Sequence, residues 1–382
     1  MNHLYLFVFF VSVISILVTN IFNSDTVVRA GNIYPGVSIY EGLSWSVNWL
    51  LVIAPYLIGV FVYQKQEHIE RILKLLVLFG FAYGFLIWFE ARMSPQLHLR
   101  LYGFFQHDFL QHVRDGGFRP IVFMSHGLHV AFFAMLSFCA LVILLRARLI
   151  QTSMITTGQL GFMGISILLC KSLGSIIFGC TAAPLLWLGS KKLIRTIAFC
   201  LVLIAVTLPI TRSAGLFPTQ QLLEFANWID PARAFSLNTR FVSEDALLAH
   251  AQERPLLGWG SGGRNSAAFE GGSTAILDGM WIILIGTRGW VGFLSTFGLI
   301  FIPVYLVWRL GARQDVPFTV VGASLLLAIS LIELIPNTTF GPWTWLLAGS
   351  ITGYAASARQ RSQPTEVQEL SEPKEQSRRT VI

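Results

Sequence analysis

Residues 276–310 read ILDGMWIILIGTRGWVGFLSTFGLIFIPVYLVWRL and form the longest apolar run in the chain. A helix needs about 20 apolar residues to cross a bilayer, so this run is longer than one crossing. Its first part, through Thr287, is expected to be a tilted or re-entrant helix that leads into a crossing from about Gly289. A run of this length and composition is typical of an all-α membrane protein.

The composition of the whole chain supports the same class. Of its 382 residues, 54% are hydrophobic and 12% are charged, and the mean hydropathy is +0.63. Apolar runs of roughly 16 to 25 residues recur along the chain and predict an all-α polytopic protein with about ten transmembrane helices. They cover residues 4–19, 47–63, 72–89, 120–145, 155–170, 172–189, 193–210, 276–310, 317–334 and 340–356.

The first apolar run is expected to remain as a helix rather than to be removed as a signal peptide. No Lys or Arg precedes it, and the one acceptable cleavage motif, residues 28–30, lies too far downstream. The four cysteines fall within or at the ends of apolar runs, so neither a disulfide framework nor a metal site is expected. They are Cys139, Cys170, Cys180 and Cys200.

Basic residues predict which loops are cytoplasmic, because short loops rich in Lys and Arg stay on that side during insertion. The loops of this kind lie near residues 65–71, 146–148, 191–195 and 309–313, and both termini should lie with them. The loops expected to face outward are 20–46, 91–118, the turn at Lys171, 211–275 and 335–343. Several outward loops contain arginines, which predicts an anionic ligand on that side.

The C-terminal segment, residues 357–382, is rich in Gln, Ser, Glu, Pro and Arg. Such a composition cannot bury enough apolar surface to fold alone. We expect a disordered cytoplasmic tail after a single membrane domain, residues 1–356.

The long outward loop, residues 211–275, contains a predicted helix from Asn238, an N-cap, to Arg254, which precedes a proline. At 100° per residue, Arg240 and Arg254 share one face of this helix but lie about 21 Å apart along its axis. One phosphate therefore cannot touch both unless the helix bends.

Glycines follow this helix in the stretch GWGSGG, residues 258–263, which matches the pattern GxGxxG. A dinucleotide-binding loop needs a strand before those glycines, whereas here a helix and a proline precede them. A P-loop is excluded because Arg264-Asn265 stands where Lys-Ser/Thr is required. We interpret the glycines as a flexible turn that returns the chain to the membrane, and we expect neither a nucleotide nor a nucleic acid as partner.

Residues 236–300 resemble the signature region of the bacterial O-antigen ligase and polysaccharide polymerase family. The resemblance rests on Arg240, the helix after it, RPLLGWG at 254–260, and GWVG at 289–292 in the following hydrophobic segment. It extends more weakly to the ten-helix layout, to the large late outer loop, and to FRP at 118–120 through His126. It implies a fold like that of GT-C-type glycosyltransferases.

The resemblance implies a multi-pass glycosyltransferase at the outer face of the bacterial inner membrane. Members of this family transfer a glycan from an undecaprenyl-diphosphate carrier to a hydroxyl, on lipid A-core for a ligase or on another lipid-linked repeat for a polymerase. They need neither nucleotide nor metal, so no cofactor is expected. Membrane lipids, the lipid-linked glycan and its acceptor are the implied partners, together with a chain-length regulator and a flippase.

Arg240 and Arg254 match the family's motif and are the first candidates for contacts with the diphosphate. Guanidinium forks match phosphate oxygens and stay charged at any pH. Surface salt bridges with Glu244 or Glu253 are the alternative role for the two arginines. The further candidates for the diphosphate are Arg119, Lys171, Arg212 and Arg264.

Three residues are candidates for catalysis: Asp278, Arg288 and His250. Arg288 lies in an apolar segment, where a charge is functional by default, although snorkelling at a helix break would also explain it. Asp278 stands where ligases of the family usually carry a histidine, and it is either the base for the acceptor hydroxyl or a helix cap. This departure favours a polymerase over a ligase. His250 and the less favoured His126 are the other candidate bases.

A transporter or flippase of polysaccharide precursors is the main alternative. Transporters place ionisable groups near the bilayer midplane on broken helices, whereas Glu90, Lys171 and Glu333 are expected near outer helix ends. This distribution favours an enzyme at the outer surface, and an Arg288 at mid-depth would reverse that preference. A non-catalytic membrane scaffold also remains open.

Overall fold

The computed structural model describes residues 4–29, 32–106, 109–114, 116–269, 273–338 and 341–361. The helices are α1 (Leu4–Ile21), α2 (Ile39–Val62), α3 (Gln66–Met93), α4 (Leu97–Tyr102), α5 (Gly127–Arg146), α6 (Met154–Leu169), α7 (Leu173–Leu188), α8 (Lys191–Ser213), α9 (Thr219–Ile229), α10 (Pro231–Ala251), α11 (Met280–Leu310), α12 (Phe318–Glu333) and α13 (Pro342–Arg361). A 3-10 turn covers Phe109–His112. Two short hairpins pair β1 (Val27–Arg29) with β2 (Asn32–Tyr34) and β3 (Val113–Arg114) with β4 (Gly117–Phe118).

The prediction of an all-α membrane protein is confirmed. Within the described ranges, α1, α2, α3, α5, α8 and α11 are the six helices long and apolar enough to cross a membrane. The shorter apolar helices are α6, α7 and α12, and α13 coincides with the tenth predicted run. Every predicted apolar run contains a helix, while the number of helices that cross the bilayer stays a prediction.

The centre of the bundle is formed by α5 and α12. All residues from Thr319 to Leu331 of α12 are buried, and α12 packs against α8, α11 and α5. The surrounding helices instead expose large apolar side chains, such as Phe7 of α1 and Phe79 of α3. Apolar side chains on the outside are expected where the solvent is lipid rather than water.

The fourth apolar run was predicted to be helical from residue 120, but α5 begins only at Gly127. The residues before it are held by the fully buried carboxylate of Glu90 in α3. Its oxygens accept four backbone N–H groups at 2.7–3.0 Å, those of Gln96, Leu97, Ile121 and Val122. A buried charge is tolerated when hydrogen bonds replace its lost water. Glu90 thereby fixes the segment that follows Arg119.

Gly289 interrupts α11 at the predicted place, with φ 61° and ψ −164°. An interrupted helix leaves backbone groups without partners, which is costly away from water. Residues 255–260 supply those partners through four backbone hydrogen bonds. They are Trp259 N–H to Gly286 O at 2.8 Å, Gly260 N–H to Thr287 O at 2.9 Å, Trp290 N–H to Pro255 O at 2.8 Å and Val291 N–H to Leu256 O at 3.2 Å.

This pairing corrects the interpretation of the loop glycines as a flexible turn. Gly258 has φ +70°, and a Cβ there would lie 2.6 Å from the backbone nitrogens of Arg288 and Gly289. A Cβ on Gly289 would lie 2.3 Å from the carbonyl carbon of Leu256. Two backbones can approach this closely only where both positions lack a side chain. Within the GWGSGG stretch, Gly258 therefore serves backbone contact rather than flexibility, whereas a Cβ on Gly262 would meet nothing within 4 Å.

The helix that was predicted between Asn238 and Arg254 begins earlier and ends earlier in the structure. α10 begins at Pro231, because Asp230 caps it by accepting the Ala232 N–H at 2.9 Å and proline suits the first helical position. It ends at Ala251, so Arg254 lies beyond the helix and does not share a helical face with Arg240.

The loops fall into the two sets that the basic residues predicted. On one side, Lys191 pairs with Asp315 at 2.8 Å and Arg146 donates to Leu186 O at 2.5 Å. The opposite side brings together the loops predicted to face outward. Which set is cytoplasmic stays a prediction. α13 runs to Arg361, so the start of the predicted tail is helical, and residues 362–382 lie outside the described ranges.

We predict that Gly258→Ala lowers stability much more than Gly262→Ala. Both glycines have a positive φ, +70° and +77°, so both substitutions carry the left-handed strain, but a Cβ on Gly262 would meet nothing within 4 Å. The collision at Gly258 should add about 1–3 kcal/mol of overpacking. Thermal unfolding of the two detergent-solubilised proteins measures the difference, and equal losses would contradict the backbone contact.

Candidate functional site

An open cavity of about 680 Å³ lies where several loops predicted to face outward meet. Its wall is built from six separate parts of the chain: the β3–β4 region, the start of α5, the turn between α6 and α7, α10, the segment before α11, and the segment at the end of α12. The charged side chains that line it are Arg114, Arg119, Lys171, Arg240, Asp278 and Glu333. Because four cations and two carboxylates line it, the cavity is polar and the basic side chains outnumber the acidic ones.

Two of the predicted cations are held by backbone carbonyls. Lys171 occupies the tight α6–α7 turn with φ 48°, and its Nζ donates to Arg114 O at 2.5 Å. The buried Arg119 donates from Nη2 to Lys171 O at 2.9 Å. Each contact joins residues far apart in sequence, so the β3–β4 region and the α6–α7 turn are fixed to each other.

Arg240 projects from α10 to the opposite wall of the cavity. Its Nη2 lies 3.2 Å from Asp278 Oδ2, and its Nη1 donates to Pro336 O at 3.4 Å. Both side chains of the pair are partly exposed, so ligand oxygens can still reach the guanidinium. The structure therefore brings together Arg119, Lys171, Arg240 and Asp278, four of the residues selected from the sequence.

The polar cavity adjoins a smaller apolar groove of about 270 Å³. Ser125, His129 and Glu333 line both spaces, so they stand at the boundary. The apolar lining of the groove comes from Met124, Phe132, Phe133, Leu334, Pro342 and Trp343. A ligand with an anionic head and a hydrocarbon chain would match this arrangement, with the head in the basic cavity and the chain in the apolar groove.

Histidines form part of the cavity wall at the start of α5. His126 caps that helix, its Nδ1 accepting the Leu128 N–H at 3.0 Å. Its ring lies 6.0 Å from the ring of His129, which is 2.7 Å from Ser125 Oγ through Nδ1. His126 therefore has a structural role at the helix start as well as a place in the cavity.

Arg212 was predicted as a diphosphate contact, but it does not line the cavity. It is buried at the end of α8, where its Nη2 pairs with Asp245 at 2.6 Å and with Glu244 at 3.5 Å. Its guanidinium also lies over the rings of Phe217 and Phe241, at 5.4 and 5.0 Å. These contacts attach α10 to the membrane bundle, because all of its acidic partners belong to α10.

Arg254, Arg264 and His250 belong to a second cluster around Trp259. Arg254 pairs with Asp25 at 2.9 Å, and its hydrogen bond lowers the pKa of that carboxyl. The buried Arg264 donates to Trp259 O at 3.0 Å. The His250 ring stacks on Trp259 at 4.4 Å, and burial lowers its pKa. None of these three predicted residues lines the cavity.

The same cluster joins β1 and the residues after β2 to the 211–275 loop. Arg29, which ends β1, pairs with Glu253 at 2.6 Å, and Arg264 donates to Pro35 O at 3.0 Å. Arg29 and Arg254 also lie over the Trp259 ring, at 5.3 and 4.2 Å from its centroid. The RPLLGWG stretch thus lies at the centre of the contacts between the chain before α2 and the 211–275 loop.

Arg288 ends the first part of α11 and also lies apart from the cavity. Its guanidinium stands 4.5 Å over the ring of Trp49, which packs edge-on against Trp345 at 5.9 Å. Among the described residues its buried Nη1 has no hydrogen-bond partner. A cation stacked on an aromatic face is stabilised by the ring quadrupole, which offsets part of the cost of burying the Arg288 charge.

The cavity contains residues that the sequence did not select as site residues: Arg114, His129, Glu333 and Asn337. The sequence could have indicated Glu333, because it is an acidic residue at the end of an apolar run. The residues that share the cavity with it could not be predicted, because they come from distant parts of the chain. In the described part of the chain, no group of three or more His, Cys, Asp or Glu side chains could hold a metal ion. No family model matches the chain, and neither a curated protein nor a solved structure matches it.

We predict a pH dependence of stability from Glu244, because burial raises its pKa to about 7 from 4.5 although the nearby charge of Arg212 lowers it. The folded state then binds a proton more tightly than the unfolded state, so stability is greatest at low pH. The unfolding free energy should fall by on the order of 2–3 kcal/mol between pH 4.5 and pH 7. Glu244→Gln should remove this decline, measured as the difference from wild type by chemical unfolding.

Subtracting the two profiles cancels the opposite contribution of His250, whose lowered pKa makes stability rise with pH below about 6.5. Asp245→Asn is the matched control, because Asp245 contacts the same arginine but is largely exposed. A Glu244→Gln profile parallel to that of wild type would contradict the buried position of Glu244.

Proposed function

We propose that this protein transfers glycan from an undecaprenyl-diphosphate carrier to a hydroxyl acceptor at the outer face of the bacterial inner membrane. The observation that carries the proposal is the basic cavity beside an apolar groove. A polyprenyl-diphosphate glycan has the same order of parts: a hydrocarbon chain, two phosphates and a polar glycan. The family resemblance of residues 236–300 supports the same activity.

The diphosphate is assigned to the cations that the structure brings together. Arg119, Lys171 and Arg240 reach the cavity from three separate elements, so they can contact different phosphate oxygens. The diphosphate is the leaving group of the transfer, and preorganised cations lower the free energy of the charge that departs with it. Arg114 joins this set because it lines the same cavity. The chemistry requires no cofactor.

A polymerase is favoured over a ligase because Asp278 stands where ligases of the family usually carry a histidine. In this proposal ten helices cross the membrane, both termini are cytoplasmic, and the cavity opens outward. Four cations on the outward side do not by themselves exclude a flippase, which would bind the same lipid-linked precursor. The two activities differ in whether a glycosidic bond forms.

We predict that Arg240→Lys reduces glycan transfer at least about tenfold, because lysine keeps the charge but loses the planar fork that fits phosphate oxygens. Arg29→Lys is the matched control, since Arg29 also forms a partly exposed ion pair but does not line the cavity. Transfer is measured with purified protein, undecaprenyl-diphosphate oligosaccharide and a chelator. Equal turnover by both variants and wild type would remove Arg240 from the diphosphate site.

Deletion of the gene should distinguish the candidate activities through the glycan that cells retain. A polymerase predicts loss of long chains while single repeats stay attached, and a ligase predicts loss of all attached glycan. A flippase predicts the same loss as a ligase, but its purified form would form no glycosidic bond. Unchanged cell-surface glycan would contradict the proposed function.

A further inference from the structure

Glu333 occupies the boundary between the polar cavity and the apolar groove, and it lines both. It is the last residue of α12, and its Oε1 accepts a hydrogen bond from the Asn337 side-chain amide at 2.7 Å. Its Oε2 lies 3.9 Å from the point where a Cβ on Gly174 would stand. Gly174, at the start of α7, therefore lies close to this oxygen.

The position is electrostatically unfavourable for a carboxylate. The C-terminal end of a helix carries a partial negative charge, which repels an anion and favours a cation. Although four cations line the same cavity, none of the described Lys or Arg side chains forms an ion pair with Glu333. Groups held in such unfavourable places are candidates for functional rather than structural roles.

Asp278, the base suggested by the sequence, has a different environment. Its Oδ2 lies 3.2 Å from Arg240 Nη2, so it serves as the partner that positions the guanidinium. To take a proton it would have to give up that ion pair. Glu333 lines the cavity and has one oxygen bound to the Asn337 amide, so it can accept a proton without breaking an ion pair.

We infer that Glu333 is the catalytic base of the site, an inference that rests on the proposed function. In the transfer step, the acceptor hydroxyl oxygen forms a bond to the anomeric carbon of the lipid-linked glycan. The bond from that carbon to the diphosphate oxygen breaks, and its electron pair leaves with the diphosphate. The hydroxyl proton moves to a carboxylate oxygen of Glu333, which releases it to water in the cavity.

Glu333→Gln tests the assignment in the purified full-length protein, with undecaprenyl-diphosphate oligosaccharide extracted from cells that lack the gene. Glutamine keeps an oxygen for the Asn337 amide but cannot take the proton. Turnover should fall at least about a hundredfold, as expected when a general base is lost. Binding of undecaprenyl diphosphate should change by less than about threefold. The melting temperature should not fall, because the variant loses no ion pair and relieves repulsion at the helix end.

A pH profile separates the base from a merely structural residue. Glu333→Asp should retain measurable turnover with a displaced acid limb, while the residual turnover of Glu333→Gln should lose that limb. Asp278→Asn is the comparison variant, because it releases Arg240. It should weaken undecaprenyl-diphosphate binding more than Glu333→Gln does, and its acid limb should persist.

The outcomes distinguish failure of the base assignment from failure of the proposed function. If the wild-type protein turns over substrate and the Glu333→Gln protein is equally active, the base assignment is overturned and the proposed function stands. Loss of binding or a lower melting temperature in Glu333→Gln also overturns it, because the residue would then act in binding or folding. A wild-type protein that binds the lipid but forms no glycosidic bond overturns the proposed function, and the base assignment falls with it.

Discussion

The break in α11 is the constraint on which the packing of the 211–275 loop depends. Gly289 leaves the helix open, and backbone groups away from water need partners. Residues 255–260 provide them by lying against the break. The end of α1 completes the arrangement, because Thr19 Oγ1 donates to Leu257 O at 2.7 Å and the Asn23 amide donates to Gly258 O at 3.1 Å.

This contact explains where the charged residues of the 211–275 loop pack. Once residues 255–260 are fixed, Trp259 becomes the centre around which Arg29, Arg254 and His250 pack. α10 precedes this segment directly, and the buried Arg212 anchors it to α8. The same helix then presents Arg240 to Asp278 beside the start of α11. A backbone contact at the break therefore determines where a cavity cation stands.

The arginines of the signature-like region divide into two groups with different physical roles. Arg254 and Arg264 share Asp25, and Arg264 also donates to the carbonyls of Trp259 and Pro35, so their charges are largely used within the protein. Arg240 has a partly exposed partner and lines a cavity with other cations. Spacing along a predicted helix could not separate these roles, because α10 ends at Ala251 and the chain then changes direction.

The sequence by itself determined the class of protein, the approximate positions of the apolar helices and the break at Gly289, although it placed the start of α5 too early. These properties follow from hydrophobic length and from local backbone chemistry, which act over a few residues. It also selected Arg119, Lys171, Arg240 and Asp278 as charges that needed a reason. Only the tertiary structure decided which charges share a cavity, because that depends on contacts between segments up to hundreds of residues apart. Glu333 became a candidate only when packing placed it between a polar and an apolar surface without a cationic partner among the described residues.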